Sequence, residues 1–518
     1  MVMGTIAGID LGTTFSALAR LNGIGRPEIV PNSEGERITP SVVYFDEEEV
    51  GAIRVGLEAL NCRQLNPERT VRWIKRHMGD KEWKKHLDDH DWTPEEVSSL
   101  ILKKIRQDGS IENGEISDVV ISVPAHFDEA RRKATMDAGT LAGFNVIGIV
   151  NEPVAAALYY ATTQSVTGRV LVYDLGGGTF DVSILDVDGR NMNIVCSQGD
   201  HALGGVDFDK KVLELFEDLY RKEYNTELIE SEQDRARYED EAEDVKKTLS
   251  RRPVARKILY GPAGSLRIEI TRQQFEEAIE PLIARTEILI EVALEEAKSK
   301  AGDINKVLLV GGSTRIPMVV ERLTAKFGFA PDNAVNVDEC VALGAAIHAG
   351  LTLMRDDPKS VPQGVAAGLR DVKLKDVCNH SYGTICAPID EETGRHTIRN
   401  TIILKKNTPL PCEATQTFYT MAEGQTELQV MVTQGEDEDP EYVNRIATET
   451  FELPPDRPAN RPIHVRYSYD VNQRMHCSFL DKDSGRSLEV EFCVGESGKL
   501  KRAEAEQRAE EMSAYKVQ

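Results

Sequence analysis

The sequence predicts an α/β region built from two matched lobes, followed by a small all-β module and a short helical tail. Three observations carry this. Apolar strand-like runs alternate with helical patterns from Gly4 to about Ala349, as in "DVVISVPA" (118–125), "DEARRKATMDAGTLAG" (128–143) and "KVLLVGG" (306–312), and such alternation lays helices over a sheet. From Val377 to Val494 the texture turns to short runs of alternating polarity, "NTIILKK", "TQTFYTM", "TELQVMV", "IHVRYSY" and "RSLEVEF", separated by turn residues, the pattern of an all-β module. One strand-turn device occurs twice, "GIDLGTT" at 8–14 and "VYDLGGGT" at 172–179, which suggests duplicated lobes facing each other across a cleft.

Element by element, residues 1–355 read as the α/β region. Residues 356–376, opening "DDPKSVPQG", are rich in Asp, Pro and Gly and read as a linker. Residues 377–495 form the β module, and 496–518 a single short, charged helix. A chain of 518 residues exceeds what one core usually serves, so several domains are expected.

Composition narrows the function classes. With 41% hydrophobic and 29% charged residues the chain is globular, and its net charge of −24 argues against a nucleic-acid backbone as main partner. The basic stretch "SRRPVARK" (250–257) reads as a solvated lobe edge. The opening residues show no basic leader and no apolar stretch of membrane length, so the cytoplasm is the expected location, without a membrane partner. Eight cysteines show no close CxxC pairs; buried, reduced thiols are favoured, with a disulfide after Asp376 left open.

The repeated device carries the chemistry. Glycines at such a turn let a ligand approach the main chain, so amides can point at an anion such as a triphosphate. A carboxylate beside that anion is repelled unless a cation stands between them. Asp10 and Asp174 therefore imply a hydrated Mg²⁺ that touches phosphate oxygens. A lone Asp at a turn is more often a cap, but two matched copies, with a third glycine turn "VGGSTR" at 310–315, reverse those odds.

"GIDLGTTFS", "WIKRHMG", "VPAHFDEARRKAT", "NEPVAAAL", "VYDLGGGTFDVSIL", "LGGVDFD" and "LLVGGSTRIPMV" together resemble the seventy-kilodalton heat-shock chaperone family, the DnaK-like proteins, over nearly all of residues 4–350. The resemblance implies an actin-like ATPase domain with ATP or ADP, Mg²⁺ and K⁺ bound between its lobes. It places Gly12, Thr13 and Thr14 on the phosphates from one hairpin and Gly176, Gly177, Gly178 and Thr179 from the other, with Gly204 and Gly205 beside them. Asp10, Glu152 and Asp174 would hold the Mg²⁺ water shell, and Asp10, Asp174 and Asp181 resemble residues lining potassium sites. Lys75 matches the lysine that stabilises the γ-phosphate and attacking water, and Thr179 one that orients that water. Positioned charge and an in-line water are what phosphoryl transfer needs.

On the nucleoside side the resemblance assigns Glu243, Lys246, Lys247 and Ser250 to ribose and adenine. Gly311, Gly312, Ser313 and Arg315 form the opposite wall, and Asp338 is a further adenosine-side candidate. Lys247 stands where many relatives carry a second stacking arginine, so nucleotide affinity is expected to be somewhat lower than is usual in the family.

The β module resembles the family's peptide-binding sandwich more faintly. Phe418, Met421, Leu428 and Val430 match its pocket; Thr384, Cys386 and Arg474 stand where relatives carry apolar or small neutral residues, which points to a less apolar peptide or to an Arg474 turned to solvent. The helical lid of the family is not matched, so peptide release should be fast. The linker "DVKLKDV" (371–377) would add as a strand with Val372 and Leu374 inward and the lysines outward, giving weaker docking; Pro124, Arg132 and Asp376 match the family's coupling residues. Gly148 replaces an arginine used by J-domain co-chaperones, and the shortened segment 79–100 puts the usual exchange factor in doubt. Three functions follow: an ATP-driven chaperone binding extended or unfolded polypeptide, an ATP-gated protein with one dedicated partner, or a small-molecule kinase of the same fold.

Overall fold

The computed structural model describes residues 5–47, 51–164, 166–389, 395–471, 473–492, 502–513 and 515–518. Cys493 and the expected start of the tail, 496–501, lie outside them.

The first half of the α/β region is built on a sheet in the order Asn145–Asn151, Ile116–Val123, Thr5–Asp10, Phe15–Leu21, Pro27–Val30, with Thr39–Pro40 added to Phe15–Leu21. The second half repeats the plan with Lys306–Val310, Thr167–Leu175, Phe180–Asp188 and Asn191–Asp200. In each, a parallel neighbour on one side and an antiparallel hairpin on the other flank the strand that carries the diagnostic Asp as its last or second-last residue. Parallel pairs need helical crossovers, and the chain supplies them: Asp128 caps the helix Glu129–Leu141 by accepting from the Arg131 amide at 2.9 Å.

Two alanine-rich helices, Glu152–Thr163 and Cys340–Asp356, meet at the centre of this region. Their small residues let the backbones nearly touch; a Cβ at Gly344 would lie 1.7 Å from the Ala155 carbonyl oxygen. Ala342 and Ala346 on the second helix pack on Ala17 and Ala19 of the first sheet, while Val341, Ala345 and Ile347 join the core containing Val172 and Val310 of the second. One helix thus holds both sheets around the cleft that their Asp-bearing strands enter.

The β module is a sandwich of two four-stranded sheets, Arg399–Leu404/Tyr382–Cys386/Glu427–Gln434/Asn444–Glu452 and Cys412–Tyr419/Pro462–Tyr469/Met475–Asp481/Ser487–Phe492. Along Met475–Asp481 burial alternates residue by residue, as a strand with one face in the core requires. Among the described residues, Cys62, Cys196, Cys340, Cys378, Cys386, Cys412 and Cys477 are all free thiols.

Two expectations need correction. The segment between the α/β region and the β module is not irregular throughout: Gln363–Leu369 is a helix whose Val365 and Leu369, four residues apart, enter the core. Its turn-forming composition masked that spacing. Nor is the tail only a helix. After Arg502–Ser513 comes a two-residue strand, Lys516–Val517, paired parallel with Ala52–Val55 at the edge of a small peripheral sheet.

Candidate functional site

The two Asp-bearing turns face each other. A Cβ on Gly177 would stand 2.1 Å from Thr14 Oγ1, and one on Gly178 2.6 Å from Thr13 Cγ2, so only glycine lets the hairpins approach this closely. Between them opens a cleft of about 550 Å³ lined by Asp10, Gly12, Thr13 and Thr14 from the first half and Asp174, Gly176, Gly177 and Thr179 from the second. Gly178 and Gly204 pack behind that surface, with Gly204 pressed against the Gly177–Gly178 backbone, while Gly205 lines the cleft.

Three buried carboxylates, Glu152, Asp174 and Asp181, and the half-buried Asp10 gather around one buried ammonium. Lys75 sits on the short turn Ile74–His77 and hydrogen-bonds Glu152. Burial opposes its charge, but Glu152 and Asp10 overcome this and raise its pKa. Burial and then the Glu152 charge push Asp10 up to about 7, against the help of Lys75 and of the Ser122 hydroxyl, which donates to it at 2.9 Å. The same two causes hold Asp174 well above the carboxylate range and raise Asp181 to about 8, although the His126 amide donates to Asp181 Oδ1 at 3.2 Å. Asp181 Oδ2 is buried without a hydrogen-bond partner.

Such a set is short of positive charge. A divalent cation with its waters would restore the ionised forms and satisfy the orphaned oxygen, so the donor set fits Mg²⁺ held through water. Among the described residues no three His, Cys, Asp or Glu side chains converge closely enough to chelate a metal directly.

The far end of the cleft comes from the helix Glu232–Arg251 and the turn Gly312–Arg315. Lys246 pairs with Asp209 at 2.8 Å and donates to the Gly205 carbonyl at 3.1 Å; Lys247 pairs with Glu243 at 2.7 Å. Burial works against ionisation of Glu243, yet Lys247, Arg72 and Lys246 hold its carboxyl down at about 2. Ser250 lines the cleft and turns its hydroxyl back to the Lys246 carbonyl at 3.0 Å. Ser313 donates to the Gly176 carbonyl at 2.9 Å, tying this wall to the glycine turn 176–178, and Arg315 makes a two-pronged pair with Asp338 at 3.0 and 2.6 Å. Gly311 and Gly312 line the same wall.

Several residues that the sequence reading passed over complete the site. Trp73 lines the cleft, with the Arg72 guanidinium 4.7 Å above its ring. Ion pairs bind the halves together across the opening: Arg72 to Asp240 and Glu243, both at 3.0 Å, Arg63 to Glu239 and Asp240, and Arg76 to Asp207 at 3.0 Å. The basic run around "WIKR" and the acidic run "YEDEAED" are the sequence signal for these bridges.

Of the expected coupling residues, Arg132 and Asp376 meet through Gln473. Arg132, 2% exposed, donates to the Phe127 and Ala125 carbonyls at 2.9 and 3.1 Å, to Asn151 Oδ1 at 2.8 Å, and to Gln473 of the β module. Gln473 in turn donates to Asp376 at 2.7 Å. Pro124 closes the strand end before this loop, its carbonyl accepting from the Phe127 amide at 3.1 Å. Lys373–Lys375 pairs parallel with Asn191–Asp200; Val372 is buried, Leu374 half-buried, and both lysines are exposed.

In the β module, Val430 is in the core, Phe418 and Leu428 are half-buried against it, and Met421 is exposed. Thr384 is buried and donates to the Met431 carbonyl at 2.7 Å, and Cys386 lies 3.0 Å from the Thr401 hydroxyl. Arg474 does not join them; it lines a second cavity, between the β module and the α/β region, where none of Phe418, Met421, Leu428 or Val430 reaches.

A family model described as Hsp70 protein matches residues 6–518. The chain is 38% identical to proteins named Chaperone protein DnaK from Thermotoga neapolitana, Thermotoga petrophila and Thermotoga maritima, each over 99% of this chain and 84% of the relative. The duplicated Asp-bearing hairpins, the cleft between them and the appended β sandwich are thus those of a member of the Hsp70 family.

Proposed function

We propose that this chain is an ATP-hydrolysing chaperone in which residues 1–355 turn over ATP, residues 356–376 transmit its state, and residues 377–495 hold extended or unfolded polypeptide. The observation that carries the coupling is a chain of hydrogen bonds from the β module to Asn151, the backbone neighbour of one of the catalytic carboxylates. Gln473 binds Arg132, Arg132 binds Asn151, and Asn151 adjoins Glu152, the partner of Lys75. A second route runs from His380, whose ring nitrogen meets the Phe127 carbonyl at 3.1 Å, through the adjoining His126 amide to Asp181.

In this reading the two hairpins present backbone amides and Thr13, Thr14 and Thr179 to the phosphates. Lys75 places positive charge where the γ-phosphate departs and holds the attacking water in line. Asp10, Glu152 and Asp174 would hold the water shell of Mg²⁺, and Asp10, Asp174 and Asp181 would line K⁺ against the remaining negative charge. When bound, Mg²⁺ supplies neutralisation of the charge that develops on the phosphate oxygens. Half-buried Phe418 and Leu428, over buried Val430, and exposed Met421 give the β module an apolar surface for extended peptide. Because Arg474 belongs to the cavity between the two domains, it lends no support to an acidic client.

The test is peptide release followed by fluorescence, with and without MgATP, in the intact chain and in Arg132→Ala. ATP should change the release rate in the intact chain and not in the variant, while basal ATP hydrolysis persists in both. Hydrolysis that required a metabolite acceptor would replace this reading with a kinase, and binding of a single sequence on a peptide array would replace it with a dedicated-partner protein.

A further inference from the structure

The tail strand occupies a built site. Lys516 donates to the Gly51 carbonyl at 3.3 Å, Gln518 to the Ile53 carbonyl at 2.8 Å, and Val55 donates back to the Gln518 carbonyl at 3.1 Å. Lys103, on the helix Pro94–Asn113, gives its ammonium to the carbonyls of Met512, Ser513 and Tyr515 at 3.1, 3.4 and 2.7 Å. It thereby stops the helix Arg502–Ser513 at its negative end. Two side-chain positions add specificity. The Tyr515 ring meets Trp92 edge-on at 5.0 Å, and Val517, 8% exposed, enters the core of the first half beside Met512.

We propose that the edge of Ala52–Val55, together with Lys103 and Trp92, is a second peptide-binding site, separate from the β module. Its ligand class is an extended segment leaving a helix end, with an aromatic residue followed two places later by an aliphatic one. In this structure residues 512, 513 and 515–518 of the same chain fill it.

Recognition is through the main chain, the mode of an added β-strand. Three inter-strand hydrogen bonds and one ammonium are a modest set, so the site binds its own segment chiefly because tethering raises the local concentration to the millimolar range, about what a short flexible linker gives. The position has a mechanical consequence. The linker strand Lys373–Lys375 adds to the second half and the tail strand to the first, so the β module is fastened by one added strand to each side of the cleft. Release of the tail would also free Arg502–Ser513 from its packing on Glu129–Leu141, the helix that carries Arg132.

This goes beyond the chaperone reading and does not depend on it. The probe is a fluorescein-labelled peptide of residues 510–518, EEMSAYKVQ, followed by anisotropy. A chain truncated after Glu511 should bind it saturably, the intact chain at least ten-fold more weakly, and the truncated chain carrying Lys103→Gln at least ten-fold more weakly than its parent. Peptides with Tyr515→Ser or Val517→Asp should not bind. Equal binding to intact and truncated chains would overturn the proposal.

Should truncation unfold the chain, hydrogen exchange on the full chain decides. Lys103→Gln should speed exchange of the Val55 amide at least ten-fold while the Ile121 amide, in the central sheet, stays protected. An unchanged Val55 rate would refute the site.

Discussion

Lys75 is a single charge set among four carboxylates, three of them buried, and that asymmetry makes its role testable. Its ammonium pulls the pKa values of Asp10 and Asp174 down against burial. Removing one such preorganised group from a site that stabilises developing charge costs a rate factor of about 10²–10³. Lys75→Ala should therefore lose ATP turnover by about that factor in a phosphate-release assay. Calorimetric ADP affinity should change only a few-fold, because glycine turns and the helix Glu232–Arg251 contribute most of the cleft lining. A parallel fall in both quantities would make Lys75 a binding residue and not one that acts on the departing phosphate.

At the scale of elements, the meeting of Glu152–Thr163 with Cys340–Asp356 fixes the spacing of the two sheets. A Cβ at Gly344 would sit 1.7 Å from the Ala155 oxygen and 2.3 Å from its carbonyl carbon, so relief demands movement of backbone and not of a flexible side chain. Overpacking of this kind costs about 3 kcal/mol. Gly302 offers a control in the same domain, since a Cβ there meets nothing within 4 Å. Urea unfolding should place Gly344→Ala about 3 kcal/mol below the parent and Gly302→Ala within ~0.5 kcal/mol of it. The hairpins and the sandwich strands were legible in the sequence because their signals are local: an Asp before glycines, or alternation over six to eight positions. The bridges from Arg63 and Arg72 to Asp240 were not, because they join runs more than 160 residues apart. The strand Lys516–Val517 was hidden for another reason, being too short for a period-2 pattern to register.

For the whole molecule, the junction between the α/β region and the β module holds titratable groups whose shifts oppose one another. Burial raises Asp376 to about 6, although the Val377 amide, Gln473 and Arg132 pull it back, and burial likewise raises Glu129. Burial lowers His126 to about 4, helped by Lys406 and His201, and lowers His380 well below its usual range, helped by His126 and Arg132. A carboxyl whose docked pKa is raised strengthens docking below its ordinary value near 3.8, and that contribution is lost as pH rises through about 6. A histidine whose docked pKa is lowered works the other way: docking is favoured above its ordinary 6.5 and weakens as pH falls toward about 4. Between pH 7 and 5 the two kinds of group compensate, and removal of one carboxyl should expose the histidines. Asp376→Asn keeps an acceptor for the Val377 amide at 2.8 Å while abolishing the titration. Energy transfer between dyes on the two domains should then show the variant undocking more steeply than the parent from pH 7 to pH 5. The excess should reach about 1 kcal/mol, or roughly five-fold in the docking constant. Superimposable profiles would mean that Asp376 titrates alike in the docked and undocked chains, and the junction would have to be held together by its neutral contacts alone.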